Sequence, residues 1–122
     1  MKIYDYPRAP NPMRVNIFLN EKSINIEKVF LDLSKHANLE EDYLKINPDG
    51  GVPFLLIEPG KGISESIAIC RYFEAIQPKP SLFGNSPYEQ ANIEMWRRII
   101  ENNGMSAVGE SFRNGAKAFK GR

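Results

Sequence analysis

Glu65 and Ser66 stand just ahead of an apolar helical run, and Val52 and Pro53 stand at the mouth of an apolar strand, all within one stretch, GGVPFLLIEPGKGISESIAI at 50–69. A helix N-terminus presents free N–H groups and the positive end of the helix dipole, so it receives a carboxylate or a phosphate. A strand edge offers main-chain donors and acceptors to an extended ligand. Each feature alone has a plainer reading. An isolated Glu-Ser caps a helix, worth about 1 kcal/mol, and a proline at the first residue of a strand is an ordinary strand start. One hairpin fills the interval from Pro53 to Ser66 and brings the two features close.

A second group of polar side chains lies in the loop YPRAPNPMR at 6–14, among them the phenol of Tyr6, the guanidinium of Arg8 and the amide of Asn11. Asn11 is placed to cap the following helix, with Pro12 at its first position. His36 and Asn38 sit in a polar segment, and a lone histidine in a loop is more often solvated than functional. With one histidine and one cysteine, Cys70, the chain has no metal-ligand cluster by spacing and no internal disulfide. Cys70 falls in an apolar stripe and reads as a small core residue.

These groups must be positioned by elements that the pattern supplies in order. KIYD (2–5) is a short strand, PMRVNIFLNEK a helix ending near Lys22, and IEKVFLDL (26–33) is apolar enough for a buried strand, parallel to the first. Residues 34–48 allow at most a short helix before Asn47-Pro48-Asp49-Gly50-Gly51 stops it. VPFLLIE (52–58), the EPGKG turn and the run to Ile63 form an antiparallel pair. A helix capped by Ser66 follows, with Ile69, Cys70, Phe73 and Ile76 as its apolar stripe.

QPKPSLFGNSP (77–87) has the composition of a linker, and Ser86, Pro87 and Glu89 read as cap, first-turn proline and capping-box acid of a new helix reaching about Asn103. Within it Glu94 is set to pair with Arg98, and Trp96 beside Arg97 and Arg98 is an ordinary solvated edge rather than a nucleic-acid surface. The helical signal weakens after Gly104, so the sequence is expected to stop inside a truncated all-helical domain. Lys and Arg number 16 against 15 for Asp and Glu, a net charge of +1 that gives no general reason to hold nucleic acid or anionic membrane. The first residues, MKIYDYPRAPN, lack a signal-like apolar region, and the expected location is cytoplasmic.

KINPDGGVPFLLIE followed by GISESIAICRYFE, with PRAPNPMRVNIFL ahead of them, resembles the ligand-binding half of the glutathione transferase superfamily. The resemblance implies an α/β thioredoxin-like domain over 1–78, βαβ-ββα with a mixed four-stranded sheet in the order 2-1-3-4, a linker at 79–86, and an incomplete all-α domain over 87–122. It implies glutathione as co-substrate, with the γ-glutamyl carboxylate on Ser66, the ammonium on Glu65, and the cysteinyl backbone on Val52 ahead of a cis Pro53. Asn38 is implied, more loosely, at the glycyl carboxylate. The activity implied is attack of the glutathione thiolate on an apolar electrophile by a homodimer, or binding without conjugation. In the first loop Ala9 stands where serine-type members place a serine and Asn11 where cysteine-type members place a cysteine. Asn11, Tyr6 and Arg8 remain as substitutes for stabilising the thiolate.

Overall fold

Four short strands and two longer helices, each burying one face, account for most of the first 80 residues of the computed structural model, which describes residues 1–115. The chain divides into one unit spanning Met1–Pro80 and a second beginning at Ser81. In the first unit the order is β1 (Lys2–Asp5), α1 (Pro10–Glu21), β2 (Glu27–Phe30), α2 (Glu41–Leu44), β3 (Phe54–Glu58), β4 (Lys61–Ile63) and α3 (Ser66–Ile76). The sheet order is β2-β1-β3-β4, with β1 and β2 parallel and β3 antiparallel to both β1 and β4. This is the thioredoxin-like arrangement.

Register decides which residues share a face. Tyr4 pairs with Phe54 and Ile3 with Leu55, and because side chains alternate across a strand the two pairs point to opposite sides. On one side Tyr4, Phe54 and Tyr43 cluster, with Val29, Leu31 and Ile46 packed against them. Ile3 and Leu55 serve the other side, where α1 and α3 supply Val15, Leu19, Ile69, Cys70 and Phe73, all buried. Asn16 of α1 reaches Asp5 of β1 with an amide donor at 3.0 Å, fixing the helix over that face.

Four sequence expectations need correction here. β2 is not buried: its residues are exposed apart from the half-buried Val29, because the strand order leaves it at a sheet edge. α1 is capped by Ala9, not Asn11, since Pro10 already occupies the first helical position. Ser66 does not cap α3 but opens it, and Glu65 holds the cap position without a side-chain bond. The polar segment 34–48 holds more than the single short helix expected of it. It is a run of tight turns, at 33–35, 37–39 and α2, tied by backbone bonds such as Leu39 N–H to His36 O at 2.8 Å.

The C-terminal end of α1 is joined to the end of α3 by a buried lysine. Lys22 Nζ donates to the carbonyls of Gln77 (2.6 Å) and Pro80 (2.7 Å) and pairs with Glu74 at 2.6 Å. Gln77 Nε2 returns a bond to the Lys22 carbonyl, also 2.6 Å.

The second unit, described by itself, holds α4 (Pro87–Ile100), a π-helical turn (Glu101–Met105) and α5 (Ser106–Gly115). The helical course therefore runs past Gly104. Ser86 Oγ accepts the Glu89 N–H at 3.2 Å, while the Glu89 carboxylate takes the N–H of Asn85 at 2.7 Å, one residue ahead of the usual capping-box donor. Glu94 engages Arg97, not Arg98, which bonds Glu101 instead at 3.2 Å. Among the described residues no helix is long and apolar enough to cross a membrane.

Candidate functional site

A cleft of about 160 Å³ opens where the N-termini of α1 and α3 meet the loop entering β3, lined among others by Asn11, Val52, Pro53, Glu65 and Ser66. Five of the residues singled out in the sequence are thus brought together. The Val52–Pro53 peptide is cis. Val52 precedes the first paired residue of β3, so its main chain lies outside the ladder. Glu65 is exposed, with φ +68° and ψ 119°, a conformation that a residue bearing a Cβ adopts only where its surroundings impose it. Such outliers concentrate at functional sites.

The helix ends differ in what they offer. An α-helix leaves its first N–H groups without intrahelical partners, but at α1 two of those positions are prolines, Pro10 and Pro12, and the Met13 N–H already bonds the Ala9 carbonyl at 3.0 Å. The Asn11 N–H is the donor left at that end. α3 opens with no proline, so Ser66 brings both its N–H and its hydroxyl. Ser66 is 4% exposed and lines the cleft. Behind it Arg14 Nη1 donates to Ser66 Oγ at 3.0 Å, tying the second turn of α1 to the first of α3.

The remaining lining residues, Asn47, Asp49, Gly51 and Ser64, are ones sequence reasoning missed. In the sequence Asn47, Asp49 and Gly51 signal only a helix stop. The buried Asn47 amide donates to Gly51 O at 2.9 Å and to the Tyr43 hydroxyl at 3.2 Å, and Tyr43 itself donates to Gly51 O at 2.6 Å. Burial pushes the Tyr43 phenol up from its ordinary value, which keeps it protonated as that donor. Asn38 donates to Gly50 O at 2.8 Å. It does not line the cleft and instead anchors the loop that does. Gly50, at φ +61°, lets the 36–39 turn approach, since an added Cβ would lie 2.9 Å from the Asn38 carbonyl oxygen.

Tyr6 and Arg8 also lie outside the lining set. The Tyr6 ring packs against Phe30, centroids 5.7 Å apart. From the 6–14 loop, then, Asn11 alone reaches the cleft.

Cys70, one turn along α3 from Ser66, is buried, and burial pushes its thiol up to about 11, opposed in part by the Arg14 guanidinium. At pH 8 roughly one thiol in 10³ is ionised, so the folded protein is expected to resist a thiol-disulfide reagent that labels it fully in denaturant. The unfolded chain ionises first as pH rises, so this thiol lowers stability from the ordinary thiol value of 9.0 upward and favours the fold below it. Rapid labelling of folded protein at pH 8 would contradict the buried placement.

A family model described as the N-terminal domain of glutathione S-transferase matches residues 1–75. Glutathione S-transferase 2 of Saccharomyces cerevisiae is 36% identical over 103 residues, covering 83% of this chain and 44% of that protein. Among solved structures, a glutathione S-transferase domain-containing protein of Marinobacter aquaeolei superposes with a TM-score of 0.84 at 38% identity, over 93% of this chain and 56% of that one. A glutathione transferase homologue from Sulfitobacter, solved with bound glutathione, gives 0.77 at 26% identity over 92% of this chain and 52% of that one. The chain belongs to the glutathione S-transferase family. It spans about half the length of the relatives it matches.

Proposed function

We propose that the first unit binds glutathione in this cleft and that the protein promotes attack of the glutathione thiolate on an apolar electrophile. One observation carries the reading: a single cleft gathers a main-chain edge at Val52 and Pro53, an acid at Glu65, and the N-terminus of α3 at Ser66. Those are the complements of an extended peptide carrying a carboxylate and an ammonium at one end. The γ-glutamyl carboxylate meets the Ser66 hydroxyl and N–H and the positive end of the α3 dipole. Glu65 receives the ammonium. The cysteinyl backbone lies along Val52, which leaves the sulfur towards α1.

There the Asn11 N–H, aided by the α1 dipole, stabilises thiolate over thiol by about 1–2 kcal/mol, on the order of one pKa unit. A homodimer in the cytoplasm belongs to the same proposal. Sedimentation at micromolar concentration tests the first and imaging of a tagged full-length protein the second.

Titration calorimetry with glutathione is the direct test. Binding by the wild-type chain, weakened by about 1–2 kcal/mol in Ser66→Ala, is the expected result. No measurable binding, or an affinity that Ser66→Ala leaves unchanged, would refute the placement. A second reading, binding without conjugation, is favoured by Ala9: the first loop sends neither hydroxyl nor thiol into the cleft. Retention on immobilised glutathione with no turnover of an electrophile selects that reading.

A further inference from the structure

Serine hydroxyls rotate, so a serine that must donate to a ligand has to be kept from donating elsewhere. A guanidinium carries N–H donors and no acceptor. When Arg14 Nη1 donates to Ser66 Oγ at 3.0 Å, the serine oxygen can only accept along that direction, and its own proton turns away from Arg14. Among the described residues no protein acceptor takes that proton, and Ser66 lines the cleft. Arg14 is itself half-buried and absent from the lining.

We propose that Arg14 is a positioning residue that aims the Ser66 hydroxyl proton into the cleft, setting the affinity for a ligand carboxylate it does not touch. The inference rests on the reading that this carboxylate meets Ser66. It gives α1 a second task besides presenting Asn11. It also explains the choice of arginine: an asparagine or glutamine there would offer a carbonyl able to capture the serine proton.

A double-mutant cycle on the full chain separates this role from a structural one. Glutathione affinity is measured by calorimetry for wild type, Arg14→Met, Ser66→Ala and the double variant. Arg14→Met is expected to weaken binding about tenfold when Ser66 is present and less than about twofold in the Ser66→Ala background. Arg14→Lys, which keeps a donor-only end, is expected to stay within about threefold of wild type. With glutathione amidated at its γ-glutamyl carboxylate, Arg14→Met is expected to change affinity by less than about twofold.

Equal losses in both backgrounds, or an undiminished loss with the amidated ligand, would overturn the role assigned to Arg14 while leaving Ser66 in place. An affinity indifferent to Ser66→Ala alone would instead remove the binding reading itself. If Arg14→Met does not fold, Arg14→Gln takes its place in the cycle with the same two outcomes.

Discussion

Urea unfolding of Lys22→Met is expected to show the first unit destabilised by about 3–5 kcal/mol, the cost of removing one partner from a buried ion pair. The Lys22 side chain has no solvent exposure, and its ammonium meets Glu74, Gln77 O and Pro80 O, one partner for each of its three N–H donors. Methionine keeps a comparable aliphatic stem, so the charge is what goes, together with the ammonium contact to the Phe18 ring, where Nζ lies 5.5 Å from the centroid. Two carbonyls and the Glu74 carboxylate are then left without that cation. The double variant Lys22→Met with Glu74→Leu is expected to recover part of the loss, since the stranded carboxylate goes with its cation while the Gln77 and Pro80 carbonyls still lack their donor. A single-variant loss under about 1 kcal/mol would show that the cluster is solvated and contributes little.

That clamp also marks the limit of what the sequence discloses. Lys22 reads as the polar end of an amphipathic helix, and its partners lie 52 to 58 positions away. No local pattern connects them. The strand-helix order, the Pro59-Gly60 turn and the Pro53 to Ser66 interval were legible because their causes are local: a φ that proline fixes, a turn that glycine permits at φ +77°, an apolar stripe at helical period. The exposure of β2 was not, because IEKVFLDL is equally compatible with a central or an edge strand and only the crossover order places it at the edge.

Half of the cleft was likewise hidden. Asn47 looks like a turn residue, and only the fold shows that it lines the cleft and, with Tyr43, holds the Gly51 carbonyl. Asn38 shows the converse: its spacing suits a ligand contact, yet its amide serves Gly50. The cap positions failed for a different reason. Three candidate first-turn residues, Pro10, Asn11 and Pro12, compete at α1, and Pro10 sets the start. At α3 the left-handed Glu65 halts the helix one residue ahead of Ser66.

Ser66→Asp is expected to separate stability from binding. The new carboxylate would stand at the first position of α3, where the helix dipole favours an anion by about 0.3–1 kcal/mol, and beside an Arg14 guanidinium that now reaches Ser66 Oγ at 3.0 Å. Pairing with Arg14 offsets the desolvation of the added charge, so the melting temperature is expected to stay within a few degrees of wild type, about 1 kcal/mol in stability. The same carboxylate occupies the place of the ligand's own and repels it. Like charges brought together across a buried contact cost several kcal/mol, which amounts to a loss of glutathione affinity on the order of 10³-fold. Calorimetry and a thermal melt on one preparation read both quantities. A variant that melts normally and still binds glutathione would place the γ-glutamyl carboxylate away from α3, because no rearrangement of a neutral neighbour could hide a fixed negative charge at the mouth of that helix.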